Sequence, residues 1–313
     1  MSVMGAVVLI SCKKKEEYTP FTVGLGLTGI DSVAIWIDLT DRIAEKCRNA
    51  DYRLITANFL GEDGQISEEA ALAFFKQCLA EKVRVVLFQN IAEDIYADLL
   101  LQLKEQGAVL GAMDIVSSIA QYNSEVKNYE AGLFAGRECG KWVHENPGSK
   151  KVGVCTYSTI EIFVIRAQGL KDGFKETCPE GEIVFEADAG MIVQGVTVGK
   201  TIINTYPDIQ AVMGFNDAGP LGIWEAFKEE GWTFRDHPIG LFGIDASEAA
   251  IMAIRAGDMF KASLFMDIIK LGDELYDKCV QTALMGLYDE SESFIIVPMD
   301  MISLNNINII KTP

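Results

Sequence analysis

Short apolar runs alternate with helix-length segments along most of this chain, and that alternation restricts the possible folds more than any other feature of the sequence. The runs are partly β-branched and are bounded by Gly or polar residues, which is typical of buried parallel strands. The segments between them repeat apolar residues at three-to-four spacing and therefore predict amphipathic helices. A strand–helix–strand order predicts parallel sheets with right-handed crossovers, which is an α/β fold.

Two such series follow one another, which predicts two α/β lobes. The first has strands expected at residues 22–27, 52–57, 83–88 and 108–113. The second begins after Ser124, with strands expected at residues 151–155, 183–187, 211–215, 239–244, 261–266 and 294–297. A chain of 313 residues is long enough to give each lobe its own core.

Composition and motif content argue against several classes of function. The formal net charge of −18 argues against a nucleic-acid partner, because phosphate neutralisation requires an excess of Lys and Arg. The two histidines, His144 and His237, belong to no HExxH motif and adjoin no CxxC pair, so no metal site is predicted. The sequence contains no GxSxG elbow and no cysteine and histidine placed so that sequence alone would couple them, so nucleophilic catalysis has no support. We predict no catalytic residues, no cofactor and no enzyme activity. The seven cysteines are too dispersed for a disulfide scaffold, and several of them fall on apolar stripes, where buried small hydrophobic residues are expected.

The N-terminus predicts export and lipid anchoring. An apolar stretch of signal-sequence length leads to Leu9-Ile10-Ser11-Cys12, which resembles the lipobox of bacterial lipoproteins. In that case the signal is cut before Cys12, Cys12 carries the lipid, and the polar residues up to position 20 form a tether to the membrane. The protein is then extracytoplasmic. The alternative is an apolar tail with a chance cysteine, since no Lys or Arg precedes the stretch.

One glycine-rich run raises the alternative of a nucleotide-dependent enzyme. Gly24-Leu25-Gly26-Leu27-Thr28-Gly29 matches the GxGxxG dinucleotide fingerprint. In that fingerprint the glycines turn the chain from a strand into a helix, and the second strand ends in an acidic residue. Here the first two glycines lie inside the apolar run, and the second strand is followed by Asn58. The cofactor interpretation is therefore the weaker one.

Polar side chains stand at the ends of several predicted strands. Asp114, Asn216 and Asp245 each follow an apolar run, and Arg166 lies near the start of a helix. Ligands of open α/β sheets bind beyond the carboxyl ends of the strands. Carboxylates, amides and an Arg fork pair well with hydroxyl groups. The sequence predicts a small-molecule site from these four residues, with helix capping as the alternative for each.

The motifs around these residues resemble the type I periplasmic sugar-binding proteins of the ribose-binding and LacI-like superfamily. The resemblance extends from Phe21 to Ile302. It rests on Tyr206–Val212, Phe215–Asp217 with Gly222, Gly240–Asp245, Asn128–Gly132 with Ala135 and Gly136, and Arg166–Leu170. A LacI-like regulator would also need a helix-turn-helix ahead of Phe21, where the tail is too short and too apolar.

The resemblance implies two Rossmann-like lobes joined by a three-strand hinge, with the ligand held between closing lobes. The N-terminal lobe is expected from residues 21–125 plus 267–295, and the C-terminal lobe from residues 126–266 plus 296–313. By position, the resemblance implies ligand contacts at Asp114, Arg166, Asn216 and Asp245, a stacking aromatic at Trp36, and cleft-lining residues at Tyr157 and Met266. For Trp36 the alternative is a place in the core stripe of its helix.

The same resemblance implies a monomeric solute-binding protein that delivers a small, sugar-like ligand to an ABC permease. A sensory co-receptor that presents the ligand to a kinase or chemoreceptor would have the same sequence features and is the alternative. Four departures favour a ligand less hydroxylated than ribose or galactose and leave open a deoxy sugar, a nucleoside-like molecule or another small polar metabolite. Ile115, Val33 and Met266 replace usual polar groups, and residues 188–191 contain no aromatic side chain.

Overall fold

The computed structural model describes residues 21–32, 34–61, 66–89 and 92–309. Cys12 and Val33 lie outside the described residues, so the predicted lipidation stays a prediction. The described residues divide into two compact units, with the boundary between Leu110 and Gly111.

Helices and strands alternate along nearly the whole described chain. The helices are α1 (Ala34–Asn49), α2 (Glu68–Ala80), α3 (Glu93–Glu105), α4 (Asn128–Glu145), α5 (Glu161–Thr177), α6 (Ile192–Thr205), α7 (Ala218–Glu229), α8 (Glu248–Arg255) and α9 (Ile268–Met285). The strands are β1 (Thr22–Leu27), β2 (Arg53–Asn58), β3 (Val85–Gln89), β4 (Val109–Met113), β5 (Tyr122–Glu125), β6 (Lys151–Thr156), β7 (Glu182–Asp188), β8 (Ala211–Gly214), β9 (Gly240–Ile244), β10 (Phe260–Met266), β11 (Phe294–Ile296) and β12 (Met299–Ser303). Two short 3-10 helices, Glu290–Glu292 and Ile307–Ile309, complete the described elements.

The strands form two six-stranded sheets that are mostly parallel. The first has the order β11-β5-β4-β3-β1-β2, and the second has the order β12-β10-β9-β8-β6-β7. In the second sheet, β6 to β10 pair in parallel, and β12 pairs antiparallel with β10. The sequence-based prediction of an α/β fold with mostly parallel sheets is confirmed.

Apolar runs form the centres of the sheets because they are buried on both faces. Every residue of β1, β3, β4, β8 and β9 is buried. In the second unit, a core of aliphatic and aromatic side chains includes Val212, Ile223, Leu241, Ile254 and Phe260. The six cysteines after Cys12 are all buried and free, as their composition predicted.

Two strands do not carry the apolar signal that predicted the others. β5 has the sequence Tyr-Asn-Ser-Glu, which the sequence analysis took as the break between the two series. Its polar groups are buried but bonded: Tyr122 Oη lies 2.8 Å from Thr282 Oγ1, and Ser124 Oγ donates to Ala112 O. β12 was also not predicted, and it pairs antiparallel with β10.

The parallel strands of the second sheet end at one common edge. β6, β8 and β9 end at Thr156, Gly214 and Ile244, and the next residues enter the connections to α5, α7 and α8. In open α/β sheets this carboxyl edge is where ligands bind. The candidate site is built there.

Candidate ligand-binding site

Arg166 is the centre of the candidate site. It lies on α5 with only 7% of the residue exposed. Its Nε and Nη2 donate to Asn128 Oδ1 at 2.9 and 2.7 Å, and its Nη1 donates to Phe215 O at 3.0 Å. A guanidinium has five N–H donors. These three hydrogen bonds leave one N–H on Nη1 and one on Nη2 for another partner.

The close approach of α4 and α5 places Asn128 beside Arg166. A Cβ atom on Gly132 would lie 1.9 Å from Arg166 O, and a Cβ atom on Gly169 would lie 2.1 Å from Tyr129 O. Neither position has room for a side chain, because protein interiors are already close-packed. Glycine at both positions lets the two helix backbones touch, and this contact fixes the backbone from which the guanidinium projects.

Two carboxylates adjoin the guanidinium from the ends of strands. Asp245 follows β9 and Asp114 follows β4, and both have a positive φ, of 111° and 55°. Non-glycine residues rarely adopt such angles, and those that do are concentrated at functional sites. Asp245 Oδ1 lies 3.8 Å from Arg166 Nη1, which is too long for a hydrogen bond. In the described part of the chain, the Asp245 carboxylate accepts no hydrogen bond.

The surroundings shift the pKa values of Asp114, Asp245 and Arg166. Loss of hydration raises the pKa of Asp114 to about 6, while the Val126 N–H and the Arg166 guanidinium oppose the change. Although 47% of the Asp245 side chain stays accessible, the crowding of protein atoms raises the pKa of its carboxyl to about 6, and Arg166 again opposes the change. Burial lowers the pKa of Arg166, with Asp245 and Asp114 acting against it. Arg166 remains charged at neutral pH.

Three aromatic side chains adjoin these polar groups. The ring centroids of Phe163 and Phe215 lie 4.8 Å apart, and Tyr157 lies 6.4 Å from Phe163 and 6.2 Å from Phe215. The Arg166 guanidinium carbon lies 5.4 Å from the Phe163 centroid, within the range of a cation–π contact. Phe163 and Arg166 are three residues apart on α5 and so share a face of the helix. The site therefore combines ring surface with hydrogen-bonding groups.

The side-chain amide of Asn216 already makes two hydrogen bonds within the protein. Its Nδ2 donates to Gly190 O at 2.9 Å, and its Oδ1 accepts from Gly219 N at 3.3 Å. The second bond satisfies a backbone N–H in the first turn of α7, as a capping side chain does. One Nδ2 hydrogen remains for a ligand, so a direct contact from Asn216 stays a prediction.

Asp217, the next residue, is buried with 2% exposure. Its Oδ1 accepts from Ser263 Oγ at 2.6 Å, and its Oδ2 accepts from Ser247 N at 2.7 Å. Burial, and after it the charge of Asp245, raises the pKa of Asp217 to about 7. This carboxylate faces protein atoms and not an open recess.

The remaining predicted site residues have different surroundings. Trp36 is half-buried on α1 in the first unit, where its carbonyl accepts from Thr40 Oγ1 at 2.6 Å. Met266 is 8% exposed at the end of β10, opposite Met299 of β12. Tyr157 belongs to the aromatic group beside Arg166. The ligand contacts of Trp36, Met266 and Tyr157 stay predictions.

The GxGxxG run does not form a dinucleotide turn. Gly24 and Gly26 lie inside β1, and a Cβ atom on Gly26 would lie 2.2 Å from Phe59 Cζ. These glycines make room for neighbouring side chains instead of turning the chain towards a pyrophosphate. Asn58, at the end of β2, accepts from Gly29 N at 2.9 Å, where the fingerprint would have an acidic residue for the ribose.

Within residues 21–32, 34–61, 66–89 and 92–309, His, Cys, Asp and Glu side chains form no group of three or more that could hold a metal ion. Over the same residues, every helix is too short or too polar to cross a membrane.

Four residues of the site were not predicted from the sequence. Asn128 and Phe163 are polar and aromatic residues in the first turns of helices, and Phe163 stands three residues before Arg166, a spacing that a search for a shared helix face would have found. Asp217 and Ser263 are the others. Asp217 sits directly after Asn216, but nothing in the local sequence shows that its carboxylate is buried.

Comparison with known proteins assigns the chain to a family. A sequence profile described as "Periplasmic binding protein domain" matches residues 26–283, which is well over half of the chain. The chain belongs to the periplasmic binding protein family. The resemblance found in the sequence is therefore confirmed. Family membership implies an extracytoplasmic location.

Individual relatives of this periplasmic binding protein are distant in sequence but close in fold. The ABC transporter periplasmic-binding protein YphF of Escherichia coli (strain K12) is 21% identical over 265 residues, which cover 82% of this chain and 78% of the relative. A solute-binding protein from Bacillus halodurans C-125 with bound myo-inositol has a TM-score of 0.74 at 18% identity, covering 93% of this chain and 98% of that one. A protein from Actinobacillus succinogenes 130z with bound D-allose has a TM-score of 0.75 at 16% identity, covering 93% of this chain and 100% of that one. These likenesses confirm the predicted fold class.

Proposed function

We propose that this periplasmic binding protein captures a neutral, sugar-like ligand and delivers it to an ABC permease. The observation that carries the proposal is the Arg166 guanidinium: it is buried and fixed by three hydrogen bonds, and among the described residues two of its N–H groups have no hydrogen-bond acceptor. Among the same residues, the carboxylate of its neighbour Asp245 accepts no hydrogen bond. Together they offer two donors and a set of acceptors, which suits adjacent hydroxyl groups on one ligand.

The charge balance favours a neutral ligand over an anionic one. The single positive charge of Arg166 acts on two carboxylates, Asp114 and Asp245, both of which interact with it electrostatically. A phosphate or carboxylate on the ligand would be repelled by both. The rings of Phe163 and Phe215 supply apolar surface for the C–H face of a sugar.

Several finer elements of the proposal rest on the sequence. Cys12 would carry a lipid after removal of a signal peptide, and this membrane anchor would hold a monomer outside the cell membrane. The lobes would comprise residues 21–125 plus 267–295 and residues 126–266 plus 296–313. The strand membership of the sheets supports this division, because β11 belongs to the first sheet and β12 to the second.

The mechanism would be a ligand-driven shift towards a closed state that the permease recognises. A micromolar affinity supplies about 8 kcal/mol, which exceeds the few kcal/mol by which hinge states commonly differ. The test is to identify by mass spectrometry the small molecule that co-purifies, and then to follow closure by small-angle scattering during titration with it. If no neutral sugar or nucleoside of a test panel gives binding heat or compaction, the proposal is wrong.

A further inference from the structure

The backbone after β9 is held in a conformation that its residues disfavour. Asp245 and Ala246 both have positive φ, of 111° and 48°. Glycine is the usual residue for such angles, yet neither position is glycine. The surrounding structure must therefore hold these two residues in place, and the hydrogen bonds around them show which groups do so.

Three successive amides of this segment donate to fixed acceptors. Asp245 N donates to Leu264 O at 2.8 Å, which continues the pairing of β9 with β10. Ala246 N donates to Ser263 Oγ at 2.9 Å, and Ser247 N donates to Asp217 Oδ2 at 2.7 Å. Two of these three bonds therefore depend on side chains.

Those two side chains are joined to each other. Ser263 Oγ donates to Asp217 Oδ1 at 2.6 Å, and both residues are buried. Asp217 also packs against β9, since a Cβ atom on Gly243 would lie 2.1 Å from its Oδ1. The Asp217 carboxylate thus contacts the chain two residues before Asp245 and two residues after it.

We propose that Asp217, acting with Ser263, is a positioning residue for ligand binding, which fixes the Asp245–Ala246 backbone so that the Asp245 carboxylate meets the ligand beside Arg166. Asp217 does not itself contact the ligand, because both of its carboxylate oxygens are used by Ser263 and Ser247. This inference rests on the proposed function.

The first test needs no ligand. In Asp217→Ala, Ser247 N loses its acceptor, and Ser263 Oγ, which accepts from Ala246 N, loses the carboxylate that orients it. Hydrogen exchange of the Ser247 amide in the ligand-free protein should accelerate at least about tenfold, the change that follows the loss of one hydrogen bond, and that of the Ala246 amide should accelerate by less. Asp217→Asn should exchange at nearly the wild-type rate, because an amide can accept from Ser247 N and donate to Ser263 Oγ. Unchanged exchange in Asp217→Ala would overturn the proposal.

The second test uses ligand affinity. Calorimetry with myo-inositol, D-allose, D-ribose and the deoxy sugars 2-deoxy-D-ribose and D-fucose identifies the best-bound sugar of the wild type, and that sugar is the probe. Asp217→Ala and Ser263→Ala should each weaken its binding by about 10- to 100-fold, and the double variant should lose little more than either single variant, since both act through one bridge. Asp217→Asn should retain most of the affinity. Additive losses, or unchanged affinity in Asp217→Ala, would contradict the proposal.

Thr282→Val is the matched control for a purely structural effect. It removes a buried hydroxyl contact of 2.8 Å to Tyr122, in the same compact unit but between two residues that do not belong to the candidate site. It should lower the melting temperature without changing affinity. A wild type that binds no sugar of the panel would count against the proposed function, while the exchange measurement would still decide whether Asp217 holds the Asp245 backbone.

Discussion

Replacing Asp245 by glycine should stabilise the ligand-free protein and weaken ligand binding. A disfavoured φ of this kind costs a non-glycine residue about 1–3 kcal/mol, and glycine adopts it freely. Two terms offset the gain. Glycine adds freedom to the unfolded chain, worth about 0.5–1 kcal/mol, and the lost ion pair with Arg166 contributes at most about 1 kcal/mol because 47% of the Asp245 side chain is exposed. The net expectation is a gain of about 1 kcal/mol in the free energy of unfolding.

The loss of binding free energy in Asp245→Gly should be larger than this gain in the free energy of unfolding. A hydrogen bond to a charged group contributes about 1.5–3 kcal/mol, so the removal of the Asp245 carboxylate should raise the dissociation constant by about 10- to 150-fold. Chemical denaturation of the ligand-free protein and calorimetric titration of the best-bound sugar give the two quantities separately.

Ala246→Gly is the matched control for the backbone effect. It relieves a positive φ of 48° at the next residue and removes no carboxylate. It should stabilise the protein by a similar amount while keeping the dissociation constant within about threefold of the wild type. If Asp245→Gly is destabilised, or if both variants bind equally well, the reasoning from backbone strain to function is refuted.

Three further expectations follow from the site. Arg166→Lys should weaken sugar binding at least about tenfold in calorimetry. An ammonium group cannot keep the hydrogen bonds to Asn128 and Phe215 O and also donate two parallel hydrogen bonds to a ligand. An unchanged affinity would show that Arg166 does not bind the ligand. The affinity for the sugar should fall as the pH drops through about 6, since Asp114 and Asp245 lose their charge there and accept fewer hydrogen bonds from ligand hydroxyls. A dissociation constant that stays the same from pH 8 to pH 5 would contradict this. The ligand-free protein should lose stability as the pH rises from about 4 to 7. Over that range the raised pKa keeps the Asp217 carboxyl protonated in the folded protein, whereas the same carboxyl ionises in the unfolded chain. Denaturation of Asp217→Asn should show a weaker pH dependence.

The fold could be predicted because its signal is local and repeated. Apolar runs such as Ala211–Gly214 are buried on both faces of a parallel sheet, so their composition alone marks them as strands. β5 could not be found this way. Its polar side chains are buried because they bond to partners such as Thr282, far away in the sequence, and no local pattern encodes that pairing.

The residues of the candidate site likewise fall into those that a local sequence pattern predicts and those that it does not. Arg166 and Asp245 stand at helix and strand ends, positions that the sequence pattern reveals, and the structure brings them within 3.8 Å of each other. Asn216 stands at an equivalent position, but the structure engages its amide with Gly190 and Gly219. The burial of Asp217 depends on β10, whose distance in space from β8 cannot be read from either segment alone.

A crystal structure of the protein with its best-bound sugar tests the central claim most directly. We expect neighbouring ligand oxygens to lie within hydrogen-bond distance of Arg166 Nη1 and Nη2, and the Asp245 carboxylate to accept from at least one ligand hydroxyl. A ligand held elsewhere, with the free N–H groups of Arg166 bonded to protein or water alone, would contradict it.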